Sequence, residues 1–205
     1  MQNAANKPGQ TNAVSEWFAE AFFELHTQLQ MLHRHGGVLT GKVELQFGRG
    51  LAGFIGKRIA RKLGVPRRAG EHDLRVEIRH REDGLHWSRC FDERQNVLSI
   101  FKPVGKYPEG YWIEKTGPVT LKLGVDIIES GWHWRVLGIR ALGLPMPLML
   151  FPHSSAYKKI VGDHYQFNVS FSMPWIGRLF SYQGRLFLSQ PDPSGIDSES
   201  RLEKS

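Results

Sequence analysis

The chain has 205 residues, enough for one well-buried core, and 40% of them are hydrophobic, as in ordinary globular proteins. No segment approaches the roughly 20 apolar residues of a membrane span, and the N-terminus lacks the apolar stretch of a secretory signal. The formal net charge is +7, and the single cysteine, Cys90, excludes an internal disulfide. This cysteine usage predicts a cytoplasmic setting.

Both ends of the chain are polar and rich in Pro, Gly or Ser. Such segments bury too little apolar surface to offset the entropy of ordering them. We therefore expect one α+β domain over residues 13–188, with disordered tails at 1–12 and 189–205.

Apolar residues recur at helical spacing in the first third of the chain. They predict a first helix from about Ser15, which can cap it, to about His35. Its buried face would consist of Phe18, Phe22, Leu25, Leu29 and Leu32. A second helix is predicted from about Leu51 to Leu63, with Leu51, Ile55, Ile59 and Leu63 as its apolar stripe.

Period-two alternation predicts strands through most of the remaining chain. It runs over residues 38–47, 74–79, 85–91, 97–102, 111–115, 119–128, 132–139 and the closing pair 165–188. The apolar, proline-broken segment 142–152 is predicted to be a buried loop or a lid, and 154–161 a short helix. The predicted architecture is a curved, mostly antiparallel sheet or partly closed barrel of about eight strands, with two helices in the N-terminal half.

The residues from Gly48 to Gly53 match the GxGxxG pattern of dinucleotide-binding loops, between a strand and a helix. Strands of that fold are buried on both faces. The preceding strand instead alternates polar and apolar residues, and no acid ends the following one. We interpret the motif as a tight turn in which Gly53 and Gly56 let the helix pack closely.

The nine histidines show no metal-ligand spacing, and neither an HExxH motif, a GxSxG elbow nor a phosphate loop is present. The sequence therefore predicts no metal site and no cofactor.

Aromatic residues and one arginine are the strongest site candidates. Trp132 and Trp134 share one face of a strand, and Arg89 shares a face with Trp87 and Phe91. An arginine on an apolar face needs a partner, either Glu114 or an acidic group of a ligand. The predicted ligand-binding residues are Trp87, Arg89, Phe91, Trp132, Trp134 and Tyr182. The weak catalytic candidates are Glu114 and Arg89, with a histidine, for acid–base chemistry.

The segment from Arg49 to Arg81 contains ten Lys/Arg and three Asp/Glu, so it carries the entire excess charge of +7. It is either a solvated helix face and loop or a surface for an anionic membrane or an acidic partner. Its candidate residues are Lys57, Arg58, Arg61, Lys62, Arg67 and Arg68. Nucleic-acid binding is not favoured, because no recognisable reading module accompanies the charge.

Landmark residues along the chain resemble a bacterial family catalogued as a domain of unknown function, number forty-one sixty-six. They are Leu32-His33, Gly41, Arg49-Gly50, Leu63-Gly64-Val65-Pro66, Trp87-x-Arg89-x-Phe91, Glu114, Gly117-Pro118, Gly143-Leu144-Pro145, Pro147, Pro152, Phe167, Val169, Pro174, Gly177, Tyr182, Gly184 and Leu186. Members of this family look like standalone proteins or like C-terminal modules behind saccharopine-dehydrogenase-like or epimerase-like domains.

The resemblance brings no catalytic residues, because none is established in the family. It implies small-molecule metabolism, with lipid or polyketide-like substrates, and a dehydrogenase-like partner acting in trans.

The sequence as a whole leads to three hypotheses about function. The first is a domain that binds a small apolar or acidic ligand in an aromatic-lined cavity. The second is a lyase or isomerase in the same cavity, and the third is a basic surface for an anionic membrane or an acidic partner.

Overall fold

The computed structural model describes residues 12–148 and 152–189. The predicted tails fall almost entirely outside this range, so the domain boundaries stay a prediction. The predicted loop or lid at 142–152 is described only in part.

Eleven antiparallel strands are present in the described residues, rather than the expected number of about eight. They are β1 (Gly37–Phe47), β2 (Gly70–Arg81), β3 (Gly84–Phe91), β4 (Gln95–Val104), β5 (Tyr111–Thr116), β6 (Val119–Ile128), β7 (Gly131–Ala141), β8 (Leu144–Met146), β9 (His153–Val161), β10 (His164–Met173) and β11 (Gly177–Ser189). Their order is β6-β5-β4-β3-β2-β1-β11-β10-β9-β7, and pairing of β6 with β7 closes a ring of ten. The short β8 pairs with β7 outside this ring. The predicted kind of fold, an antiparallel barrel, is confirmed.

Alternation fixes which side chains enter the barrel. On β2, Leu74, Val76 and Ile78 are buried, whereas Arg75 and Arg79 between them are exposed. The prediction of a short helix at 154–161 is wrong, because this segment is β9 and pairs with both β7 and β10. Ala156 and Lys158 face inward on this strand. Because the segment is polar and contains lysines, its sequence does not show the alternation of polar and apolar residues that predicts a strand.

The expected first helix is broken into three pieces: helix α1 (Ala13–Phe18), a 3-10 helix (Ala19–Glu24) and helix α2 (Thr27–His35). Ala19 adopts a positive φ of 51° and Leu25 is extended, which interrupts the α-helical hydrogen bonding. Asn12, not Ser15, caps α1. The predicted apolar face is nevertheless buried at all five positions: Phe18, Phe22, Leu25, Leu29 and Leu32.

These N-terminal helices fill one end of the barrel, which we call the N-terminal end. The indole nitrogen of Trp17 donates to the carbonyl oxygen of Val104 at 3.2 Å, and its ring lies 5.4 Å from that of Trp112. The Phe18 ring meets that of Trp132 edge-on at 4.7 Å. Aromatic rings of the N-terminal helices and of the strands therefore pack against one another in this half of the interior.

Helix α3 (Gly50–Lys62) packs against β11 through small residues, namely Ala52, Gly53, Gly56 and Ala60. A Cβ at Gly56 would lie 2.3 Å from the carbonyl oxygen of Leu179, so only glycine permits this approach. The predicted apolar stripe of this helix is wrong at its first residue, because the Leu51 side chain is 65% exposed. The glycine motif is a tight strand-to-helix turn, as interpreted from the sequence.

Antiparallel connections place alternate loops at opposite ends of the barrel. The end opposite the N-terminal helices carries the α3 segment and the connections at 92–94, 117–118, 142–143 and 174–176. We call it the α3 end. No helix in the described part of the chain is both long enough and apolar enough to span a membrane.

Candidate functional site

Several inward-facing side chains on one side of the barrel are partly exposed. Inward-facing residues near the N-terminal end, such as Trp112 and Trp132, are fully buried. Inward-facing residues nearer the α3 end retain partial exposure: Thr116, Leu121, Trp134, Val136, Ala156, Val169 and Phe171. They belong to strands β5, β6, β7, β9 and β10, so solvent reaches the interior along this half of the wall.

Arg89 lies in the interior at the centre of a polar cluster. Its guanidinium donates from Nη1 to the Tyr182 hydroxyl at 3.3 Å and from Nη2 to the Ser99 hydroxyl. Glu114 Oε1 lies 3.9 Å from Nη2. Thr116 links the hydroxyl of Ser99 at 2.6 Å to the carboxylate of Glu114 at 3.0 Å. Strands β3, β4, β5 and β11 therefore meet through one hydrogen-bond network.

This cluster is shielded without being sealed. The side chains of Arg89 and Glu114 are 20% and 15% exposed. Burial raises the pKa of the Tyr182 hydroxyl, which keeps it protonated and neutral beside the guanidinium. The sequence indicated Glu114 as a partner for Arg89, and the two side chains lie close together in the structure. Their catalytic role stays a prediction.

The predicted aromatic residues all face the interior, at two depths. Phe91 is buried edge-on against Tyr182 at 6.0 Å, beside the polar cluster. Trp132 lies deepest, and Trp134 stacks on Phe101 at 5.6 Å. Trp87 lies on the same strand face as Arg89, two residues away, because both pair inward along β3.

Two interior residues that sequence reasoning did not assign to the site are Lys158 and His33. The Lys158 ammonium nitrogen lies 3.8 Å from the ring centre of Trp132 and 4.2 Å from that of Trp87. The His33 ring contacts the same two tryptophans, at 4.8 Å and 5.8 Å between ring centres. Burial lowers the pKa of Lys158 and that of His33 well below their usual values. The inward position of Lys158 could have been found from the sequence if residues 154–161 had been predicted as a strand. The predicted apolar face of the first helix gave no indication that His33 belongs to the site.

Buried nitrogens without a partner accumulate in this interior. Within 12–148 and 152–189, no hydrogen-bond partner is available to Arg89 Nε, Lys158 Nζ, either ring nitrogen of His33, or the indole nitrogens of Trp87, Trp112 and Trp132. Most buried polar groups in proteins are paired, so such a concentration needs an explanation. Oxygen atoms of a bound molecule are the natural acceptors for the N–H groups among them.

The predicted basic residues are exposed and belong to the α3 end: Lys57, Arg58, Arg61, Lys62, Arg67 and Arg68. Apolar side chains at the same end are exposed as well. Leu51 and Phe54 on α3 are 65% and 60% exposed, Trp175 in the β10–β11 turn is fully exposed, and Leu142 and Leu144 are also exposed. The described residues contain no cluster of three or more His, Cys, Asp or Glu side chains arranged for a metal ion.

Searches of the curated proteins and of the solved structures find no match to this chain. A family described as Domain of unknown function (DUF4166) matches residues 25–186, which include every landmark of the resemblance seen in the sequence. That resemblance is therefore confirmed: the chain belongs to the family Domain of unknown function (DUF4166).

Proposed function

We propose that the barrel binds an amphiphilic small molecule whose anionic head group pairs with Arg89. The observation that carries this proposal is the unpaired, buried Nε of Arg89, in a guanidinium whose other two nitrogens are held by Tyr182 and Ser99. A fixed guanidinium with a free N–H is prepared for a carboxylate or phosphate oxygen.

The position of Glu114 favours a ligand-binding role for Arg89 over a purely structural one. At 3.9 Å from Nη2 it lies beyond hydrogen-bond distance, so it offsets the positive charge of Arg89 without occupying its donors. An unpaired interior arginine would be costly to bury, and Glu114 reduces this cost when the ligand is absent. The anionic head group would approach from the Nε side.

The apolar part of the ligand has a matching surface. Partly exposed apolar side chains lie beside the polar cluster. Leu121 pairs with Glu114, Val169 pairs with Tyr182, and Phe171 lies one pair nearer the α3 end. An alkyl or polyketide-like chain lying along them would bury apolar area on both partners, which favours binding. The head group would then lie in the interior and the chain would point towards the α3 end.

Calorimetric titration with decanoate and with 1-decanol tests the proposal. We expect decanoate to bind wild type at least tenfold more tightly than the alcohol, because only the carboxylate pairs with Arg89. Arg89→Met should remove this preference, whereas Arg75→Met, an exposed position on the outer face of β2, should retain it. Equal affinities of wild type for the acid and the alcohol would refute an anion-binding role.

A second candidate function is docking of the α3 end on an anionic membrane. What favours it is the coincidence of exposed basic residues with exposed apolar ones, Leu51, Phe54 and Trp175, at the accessible end of the barrel. Basic residues are attracted to acidic lipid headgroups, and exposed tryptophan and phenylalanine side chains insert at the interface. A ligand of low water solubility would then enter directly from the bilayer.

Liposome flotation distinguishes this candidate. We expect binding to vesicles of phosphatidylcholine with phosphatidylglycerol, weak binding to phosphatidylcholine alone, and loss in high salt. The double reversal Arg58→Glu and Arg61→Glu should abolish flotation. The same double reversal at Arg81 and Lys106, exposed near the N-terminal end, should not. Equal flotation with neutral and anionic vesicles would refute the electrostatic attraction.

A further inference from the structure

Lys158 lies in a cage of tryptophans inside the barrel. Its side chain is 2% exposed, and its amine nitrogen lies 3.8, 4.2 and 5.6 Å from the ring centres of Trp132, Trp87 and Trp134. The backbone explains this position. Lys158 pairs with Trp132 on β7 and with Phe167 on β10, so all three side chains point to the interior.

No carboxylate or other hydrogen-bond acceptor for this amine is found among the described residues. The ionisable group that faces it is His33, a base that adds positive charge when protonated, with His80 behind it. Burial lowers the pKa of Lys158 well below its usual value, so this amine loses its proton more readily than the amine of a surface lysine. A neutral, desolvated lysine amine is a nucleophile, whereas a surface lysine near neutral pH is protonated and unreactive.

We infer that Lys158 is a reactive amine that forms an imine with the carbonyl group of an aldehyde or ketone bound in the barrel. This inference deepens the proposed function, on which it rests, because it names a second functional group of the ligand. The ligand class becomes a carbonyl-bearing amphiphile.

Imine formation needs no reactant other than the lysine amine and the carbonyl compound, and it releases one water molecule. The lone pair of the Lys158 nitrogen attacks the carbonyl carbon, and the carbonyl oxygen takes up a proton to give a carbinolamine. That hydroxyl then leaves as water with the second amine hydrogen, and a C=N bond replaces C=O. The proton that the carbonyl oxygen takes up is the first amine hydrogen, so the step needs no other proton source.

We expect a ligand to approach the amine from the side of Ala156. Ala156 precedes Lys158 by two residues on the same face of β9, it is half-exposed, and its side chain is small. Trp87, which contacts the amine, lies two residues from Arg89 on β3, a spacing of about 7 Å. A ligand whose head group pairs with Arg89 would therefore reach Lys158 with a carbonyl group that extends from the head group deeper into the barrel, away from the α3 end.

Reductive trapping tests the inference. The full chain is incubated with decanal and cyanoborohydride at pH 7, and the modified lysines are located by peptide mass mapping. We expect one decyl group, at Lys158, with at least tenfold less at Lys159. Lys159 is the matched control, because it is adjacent in sequence but on the outer face, 3.1 Å from the carboxylate of Glu129. Modification spread over exposed lysines, with Lys158 unmodified, would overturn the inference.

Two further measurements keep the outcomes distinct. Lys158→Met should lose the single modification and Lys159→Met should keep it; if Lys158→Met does not fold, the mapped site in wild type decides. Excess decanoate should suppress trapping at Lys158. Trapping at Lys158 in a protein that does not bind decanoate would overturn the anion proposal and leave the lysine inference standing. Decanoate binding without trapping would overturn the lysine inference alone.

Discussion

Arg89 and Tyr182 are hydrogen-bonded across the interior of the barrel, with 3.3 Å between Nη1 and the hydroxyl oxygen. They lie on β3 and β11, which are separated in the sheet by β2 and β1. This contact therefore spans a chord of the barrel and is not a cross-strand neighbour pair. It holds the guanidinium in one orientation, and it leaves Nε directed at no protein acceptor within the described residues.

Tyr182→Phe should lower the free energy of unfolding by about 1.5–3 kcal/mol, because it removes one hydrogen bond to a charged group. Urea denaturation measures this change. Tyr157→Phe, on the outer face of β9, is the control and should change stability by less than about 0.5 kcal/mol. Equal effects of the two substitutions would show that the contact does not order Arg89.

The pair of His72 and Asp92 should make stability depend on pH. Burial lowers the pKa of His72, but hydrogen bonds to Asp92, at 2.7 Å, and to the Arg68 carbonyl outweigh it and raise that pKa overall. Burial raises the pKa of Asp92, but the bond to His72 outweighs it and lowers that pKa. Stability from the raised histidine is fully present below about pH 6.5 and is lost as pH rises through the folded-state pKa. Stability from the depressed carboxyl is present above about pH 3.9 and is lost as pH falls through its folded-state pKa.

Urea denaturation of wild type and Asp92→Asn at pH 5 and pH 8 checks this pair. The stability advantage of wild type should be larger at pH 5 than at pH 8. Subtracting the variant removes other titrating groups, including His33, whose lowered pKa acts in the opposite direction. An advantage that is constant between the two pH values would contradict the assignment.

Gly56→Ala should destabilise the chain by about 1–3 kcal/mol, because its Cβ would collide with the Leu179 carbonyl and force α3 away from β11. Gly138→Ala is the matched control. A Cβ there would meet only the Lys122 side chain, at an ordinary distance of 3.7 Å. Thermal denaturation of both variants suffices, and a Gly56→Ala protein as stable as the control would show that α3 is not closely packed.

Asn12→Ala should cost about 0.5–2 kcal/mol, as loss of a helix N-cap does. The Asn12 side chain also donates to the Arg34 carbonyl at 2.7 Å, so it joins the start of α1 to the end of α2. Gln28→Ala, at an exposed position of α2, should be nearly neutral. If denaturant midpoints of the two variants agree, Asn12 does not anchor the N-terminal helices.

Alternation identified most strands and the residues that face inward, because each face of a strand has a constant environment. It failed at β9, where Lys158 occupies an inward position that sequence rules reserve for apolar residues. Helical spacing likewise found the buried face around Phe18 and Phe22 but not the break at Ala19. That break depends on packing against the barrel rather than on local preference.

The site was predicted in its parts but not in its assembly. A shared strand face already joined Arg89 to Trp87 and Phe91, and the need for a counter-charge indicated Glu114. The contacts of Arg89 with Tyr182, and of Lys158 with Trp132, are set by closure of the ring. Strand order in a ten-stranded barrel cannot be read from alternation alone.

The most direct test of the central claim is the 15N–1H resonance of Arg89 Nε, assigned by its absence in Arg89→Met and followed during titration with decanoate. An anion-binding interior predicts a downfield proton shift that saturates together with calorimetric binding. An unchanged Arg89 resonance in protein saturated with decanoate would contradict it.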